Sequence, residues 1–236
     1  MCSAQTVLKM HWQPVIDWQT PAGRALRLLI AALPPGREFD LTLFGSSPLQ
    51  IGIEPTFASA DIDLFTADEQ MDDVKAAVRC AGLEKNDRGG IYVQVCVEWN
   101  FRTSPRWHRR AHRERIGTVC LTLPTPVDIL IAKLHRLEEK DLRAFRLVIE
   151  RTGHPTEDEL REELQAAVDL FRPNFDESVP SDITANTRIL WRELWGKEMD
   201  VRKEIIAPAL ARIREGYGPD LARVDYKAEL RRIADL

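Results

Sequence analysis

Apolar and polar positions alternate most regularly between Ile91 and Trp99, where Ile91, Val93, Val95, Val97 and Trp99 interleave with Tyr92, Gln94, Cys96 and Glu98. A period of two predicts a strand over 91–99 with one buried and one polar face. Shorter apolar runs predict strands over 39–44, 60–65 and 116–123, the first of them running into Gly45-Ser46-Ser47. Helical spacing predicts helices over 21–33 and about 68–81. The first is opened by Thr20-Pro21 and stopped by Pro34-Pro35-Gly36. From Thr125 onward the pattern is helical throughout. Thr125, Pro126 and Asp128 read as N-cap, first position and first-turn acid, and Thr156 with Glu159 as a capping box. A loop is expected at 172–181. Helices are expected over 182–235, interrupted near Gly216-Tyr217-Gly218-Pro219. The expected fold class is α+β: a mixed sheet with flanking helices over 1–124, then an all-helical domain over 125–236.

Composition narrows the function classes. Of 236 residues, 44% are apolar and 30% charged, which supplies a core and excludes disorder. The longest apolar run, 28–33, is far below the ~20 residues that span a bilayer, so no membrane partner is expected. No apolar stretch in the first twenty residues reads as a secretory leader. Cys2, Cys80, Cys96 and Cys120 are scattered, without a Cys-x-x-Cys pair. That argues against disulfide and zinc-ribbon scaffolds and fits a cytoplasmic location. The net charge is −4, yet residues 102–115 carry +5, so that the rest carries −9. A basic patch on an acidic chain suggests a confined polyanion site.

The most informative chemistry is Leu43-Phe44-Gly45-Ser46-Ser47 followed by Ala60-Asp61-Ile62-Asp63-Leu64-Phe65. Residues two apart on a strand share a face, so Asp61 and Asp63 lie about 6–7 Å apart along it while Ile62 and Leu64 bury the other side. Two such carboxylates can close on a hard divalent cation, magnesium or manganese. Gly45 permits a tight turn, and Ser46 and Ser47 with nearby backbone N–H groups can hold phosphate. The competing reading is a solvated strand face.

With Val127-Asp128-Ile129-Leu130-Ile131-Ala132-Lys133-Leu134 and Lys140-Asp141-Leu142, these residues resemble the DNA polymerase β-type nucleotidyltransferase superfamily, in particular its minimal AbiEii-like and MenT-like members. The resemblance covers roughly 38–150. It implies transfer of a nucleoside monophosphate from a nucleoside triphosphate to an acceptor hydroxyl on RNA, a protein or a small molecule. It also implies a metal at Asp61 and Asp63, and a third carboxylate from a neighbouring strand, for which Glu98 on the polar face of 91–99 is the candidate. Lys133 is implied as the cation that neutralises the triphosphate, and Asp141 as the anchor of a basic partner or a site residue; the competing reading is a structural buried pair that holds the helix to the sheet. A toxin–antitoxin role, with a cognate antitoxin protein as partner, is suggested by the likeness alone. Two departures stand out. Asp61 follows Gly45 by 16 positions, and Phe57 lies near where an arginine often precedes the acids.

Read as one continuous helix from Val127, Asp141 falls at about 320°, inside the apolar stripe of Leu130, Leu134, Leu137, Phe145 and Val148; Lys133 and Lys140 border it at about 240° and 220°. A carboxylate there needs a partner. In the basic stretch, Arg106, Arg109, Arg110 and Arg113 around Trp107 are candidates for binding an RNA acceptor, against the reading of a solvated face. Asp128 is also available as a third carboxylate, but its first-turn position reads as a helix-dipole acid, and Trp191 with Trp195 reads as core. His108 and His112 have helical ligand spacing without a third ligand. Three functions follow: a metal-dependent nucleotidyltransferase, a catalytically silent protein of that fold binding nucleotide, RNA or a protein partner, and an RNA-binding module built on the arginines.

Overall fold

The computed structural model describes residues 13–56, 59, 61–85, 90–171 and 182–215. Positions 57 and 60, the 172–181 loop and the break expected at 216–219 lie outside the described residues. Thr20 opens helix α1 (Pro21–Ala32), its hydroxyl accepting from the Gly23 N–H at 2.9 Å. The chain then alternates strand and helix: β1 (Phe39–Phe44), α2 (Ser47–Gly52), β2 (Asp61–Phe65), α3 (Met71–Cys80) and β3 (Tyr92–Cys96). A loop with two single 3₁₀ turns leads to the hairpin β4 (His112–Ile116) and β5 (Val119–Leu123).

The fold is α+β, with five strands in the order β3-β2-β1-β5-β4. β2 and β3 are parallel, as are β1 and β5. β1–β2 and β4–β5 are antiparallel. Alternation assigns the faces. Phe39, Leu41, Leu43, Ile62, Leu64, Val93, Val119 and Leu121 pack under α1 and α3 with Leu26, Leu29, Val74 and Ala77. Each large aliphatic side chain there contributes about 1.5–3 kcal/mol. A one-residue slip of β2 would exchange Ile62 and Leu64, both fully buried, for the two aspartates, so the register is strongly held. The opposite face carries Asp61, Asp63, Tyr92, Gln94 and Cys96 beside a small aromatic core of Phe44, Phe65 and Phe101.

Beyond the sheet come α4 (Pro126–Lys133), α5 (Glu139–Thr152), α6 (Glu157–Ala166), α7 (Ile183–Trp195), a π-helical turn Arg202–Ile206 and α8 (Ala207–Arg214). They share a second core around Leu130, Phe145, Leu160, Leu164, Leu190 and Trp191, which Leu49 of α2 enters from the sheet side.

Four expectations are corrected. β3 ends at Cys96, because Val97 begins a 3₁₀ turn in which the Asn100 side chain accepts from the Val97 N–H at 3.2 Å. The strand expected at 116–123 is the end of one strand, a turn at Gly117 with φ +61°, and β5. His108 and His112 therefore share no helix. The helix expected to run through 133–141 breaks: α4 stops at Lys133, a 3₁₀ turn spans Leu134–Arg136, and α5 starts afresh at Glu139. At Thr156 the hydroxyl accepts from Glu159 N–H at 3.2 Å, but the Glu159 carboxylate meets His154 Nδ1 at 3.0 Å instead of returning to the cap.

Candidate active site

Asp61 and Asp63 stand on the sheet face turned away from α1 and α3, both half-buried. β1 pairs Phe44 with Asp63, so the turn that leaves β1 comes back against this carboxylate. At Gly45 the backbone has φ +70°, and a Cβ there would stand 2.5 Å from Asp63 Oδ2. Glycine is thus favoured twice, by a left-handed turn and by a carboxylate that any Cβ would force to shift. Ser46 follows, partly exposed and making no side-chain cap to α2.

The electrostatics are those of a crowded acid pair. Burial, followed by the negative charge of Asp61, pushes the Asp63 carboxyl up to about 6, and Lys133 works against the rise. The Tyr92 hydroxyl donates to Asp61 Oδ2 at 3.1 Å, and the Asp61 charge is the main cause that raises the phenol above its ordinary value. Burial, then Asp63 and Asp61, push the Cys96 thiol up to about 11, which keeps it neutral. Lys133 ends α4 with its ammonium 3.6 Å from Asp141 Oδ1. Asp141 Oδ2 accepts from the Glu138 N–H at 3.1 Å, capping α5. Asp141 is buried as the stripe reading required, but through a helix start and not a helix interior.

Thus Gly45, Ser46, Asp61, Asp63, Lys133 and Asp141 gather around one stretch of the sheet. Two expected members do not join them. Glu98 lies in the exposed turn after β3, four residues beyond Gln94. Ser47 is fully buried and donates to Phe44 O at 3.3 Å, so it supports the turn instead of facing a ligand. Among the described residues no three His, Cys, Asp or Glu side chains are grouped to hold a metal. What could hold one is the pair Asp61 and Asp63. Magnesium is commonly taken that way, by one or two carboxylates with water and phosphate oxygens completing its shell.

The arginine stretch divides. Arg110 Nε donates to Asp128 Oδ2 at 2.9 Å, and its Nη1 lies 2.7 Å from Glu163 Oε2. Arg106 Nη2 donates to Glu163 Oε1 at 2.9 Å, and the buried Ser104 hydroxyl donates to the same carboxylate at 2.6 Å. Thr125 Oγ1 completes the shell of Asp128 at 2.6 Å. Burial drives the Asp128 carboxyl upward and the Arg110 guanidinium opposes it. Arg106 and Arg110 therefore pin the loop before β4 to α4 and α6, and are not placed to bind an acceptor. Arg109 and Arg113 are exposed, Arg113 on the edge strand β4. Trp191 is core, its ring tilted by 53° to that of Trp195 with the centroids 4.6 Å apart.

Tyr92 and Gln94 are site-face residues that the motif reading passed over. Their signal was present in the polar half of the β3 alternation. Asp128 was legible as a first-turn acid beside Thr125, but Glu163 carried no signal, because its partners Ser104 and Arg106 are distant in the chain. No family model, curated protein or solved structure matches this chain.

Proposed function

We propose that the chain is a metal-dependent nucleotidyltransferase of the polymerase β type. The observation that carries the reading is the seating of the Gly45 turn against Asp63, with Lys133 acting on the same carboxylate from α4. A glycine turn with a hydroxyl, two carboxylates and an ammonium around one sheet face supply the parts that a triphosphate and its cation need. Asp61 and Asp63 would hold a divalent cation, which would supply charge neutralisation for the α-phosphate and the departing pyrophosphate. Tyr92 fixes Asp61 by its hydrogen bond. Lys133, held by Asp141, would bind phosphate oxygens, and Gly45 and Ser46 would lie along the triphosphate. The acceptor oxygen attacks the α-phosphorus, its bond to pyrophosphate breaks, and the acceptor proton leaves to solvent.

The test is transfer of label from each of the α-labelled ribonucleoside triphosphates to total RNA and to the protein itself, with magnesium or manganese. Label appearing in either acceptor only with the metal supports the reading. A second reading, a catalytically silent protein of the same fold, is favoured by one observation: the place beside Asp63 on β3 holds Gln94, not a carboxylate. Its mark is nucleotide binding that needs no metal and survives Asp61→Asn. Among the described residues no helix is long and apolar enough to cross a membrane.

A further inference from the structure

Among the described residues of the site face, Tyr92 is the one whose hydroxyl already donates to a carboxylate of the acid pair, at 3.1 Å from Asp61 Oδ2. The parallel register of β2 and β3 puts it there. Tyr92 stands beside Asp61, and partners in register point to the same face with Cβ atoms about 5 Å apart. The residue is partly exposed, and the Lys85 ammonium lies 5.6 Å from the ring centroid, a cation–π contact that steadies the phenol. Two neighbouring serine hydroxyls are committed to the backbone, Ser59 to the Asp61 carbonyl at 2.8 Å and Ser47 to the Phe44 carbonyl at 3.3 Å. A general base must lie within about 2.6–3.2 Å of the oxygen it deprotonates, and the Asp61–Tyr92 pair meets that distance.

We propose that Tyr92 is itself an acceptor, and that the chain nucleotidylates this residue once, in cis. The inference rests on the nucleotidyltransferase reading and names an acceptor for it. The phenolic oxygen attacks the α-phosphorus of a nucleoside triphosphate bound at the acid pair. A bond forms between the tyrosine oxygen and phosphorus, and the bond from the α-phosphorus to the bridging oxygen breaks, releasing pyrophosphate. The phenolic proton passes to Asp61 Oδ2 and from there to water. A hydroxyl fixed by the sheet register needs no encounter with a separate acceptor, which gives it a high effective concentration. The product has no phenolic hydrogen left to donate to Asp61, and it keeps its nucleotide tethered beside the acid pair. Each chain therefore takes up one nucleotide and then closes its own site.

The experiment incubates the full chain, without RNA, with manganese and each α-labelled ribonucleoside triphosphate in turn. Intact mass should rise by one nucleoside monophosphate per chain with the preferred nucleotide, and peptide fragmentation should place it on Tyr92. The rate constant of labelling should stay within about twofold over an about tenfold range of protein concentration, as a step in cis requires. Asp63→Asn chain, resolved from wild type by an added tag and mixed with it, should stay unlabelled although it carries Tyr92. Tyr92→Phe, shown to be folded by its thermal melt, should take up no label on the protein. Label on another residue, label on the tagged chain at the wild-type rate, or labelling of RNA with none on the protein overturns the inference and leaves the nucleotidyltransferase reading standing. No label in protein or in total RNA with any triphosphate overturns both.

Discussion

Lys133 and Asp141 face each other at 3.6 Å across a break in the helix, the lysine closing α4 and the aspartate sitting in the first turn of α5. The chain bends between them through a 3₁₀ turn and an extended Leu137. Asp141 therefore has two tasks. One carboxylate oxygen caps α5, and the other holds the ammonium that also acts on Asp63.

That double role separates two variants. Lys133→Ala removes a half-buried ammonium and should melt near the wild-type midpoint. Asp141→Ala removes a cap and the partner of a lysine, and should destabilise by about 1–3 kcal/mol. A non-hydrolysable triphosphate with magnesium should raise the wild-type midpoint by mass action and that of Lys133→Ala much less. Equal ligand gains in wild type and Lys133→Ala would remove this lysine from the site.

Asp63 makes the site costly to the fold. Its carboxyl titrates at about 6 against an ordinary value of 3.8, so between these pH values the folded chain binds the extra proton. Stability from this group is full below about pH 4, falls as pH rises through about 6, and is absent above it. Asp63→Asn should accordingly stabilise the protein by about 1–2 kcal/mol at pH 8, allowing for partial exposure, and by almost nothing at pH 4. Denaturant unfolding at the two pH values measures the difference. A variant less stable than wild type at pH 8 contradicts the crowded-pair electrostatics.

Gly45 and Gly153 share φ +70°, but a Cβ at Gly153 meets nothing within 4 Å. Alanine at either should cost about 1–2 kcal/mol for the left-handed backbone. Only Gly45→Ala should also displace Asp63 and weaken metal–nucleotide binding. Binding isotherms of the two variants, compared at equal folded fraction, report the difference.

The basic stretch predicts two behaviours from neighbouring arginines. Arg110→Ala leaves Asp128 buried without its cation and takes from Glu163 one of its two arginines, and should cost about 3–5 kcal/mol. Arg113→Ala should stay within about 0.5 kcal/mol. If an RNA acceptor lies along the exposed arginines, Arg109→Ala with Arg113→Ala should reduce the salt slope of RNA binding by about 1–2 units. An unchanged slope assigns both residues to the solvated surface.

β1 and β2 were legible as short apolar runs bounded by turn residues, and the alternation of Asp61 and Asp63 with Ile62 and Leu64 put the two acids on one face. β4 was hidden because His112-Arg113-Glu114-Arg115 is polar along its length, as suits an edge strand that must not pair with other chains. The break between α4 and α5 escaped because apolar spacing continues across it, although Glu138 and Asp141 carry the spacing of a helix start. The arginine network was illegible in principle: Arg106 meets a carboxylate 57 residues away, and only the folded chain brings them together.

If Asp61 and Asp63 are the cation-binding pair of a nucleotide-transfer site, as proposed, Asp63→Asn should all but abolish the transfer reaction without unfolding the chain. At pH 8, with manganese and the triphosphate and acceptor that wild type uses, the variant should be at least as stable as wild type. Its label transfer should fall by a factor of about 100 or more, the scale of losing a transition-state electrostatic group. A folded Asp63→Asn protein that transfers nucleotide at the wild-type rate would contradict the claim.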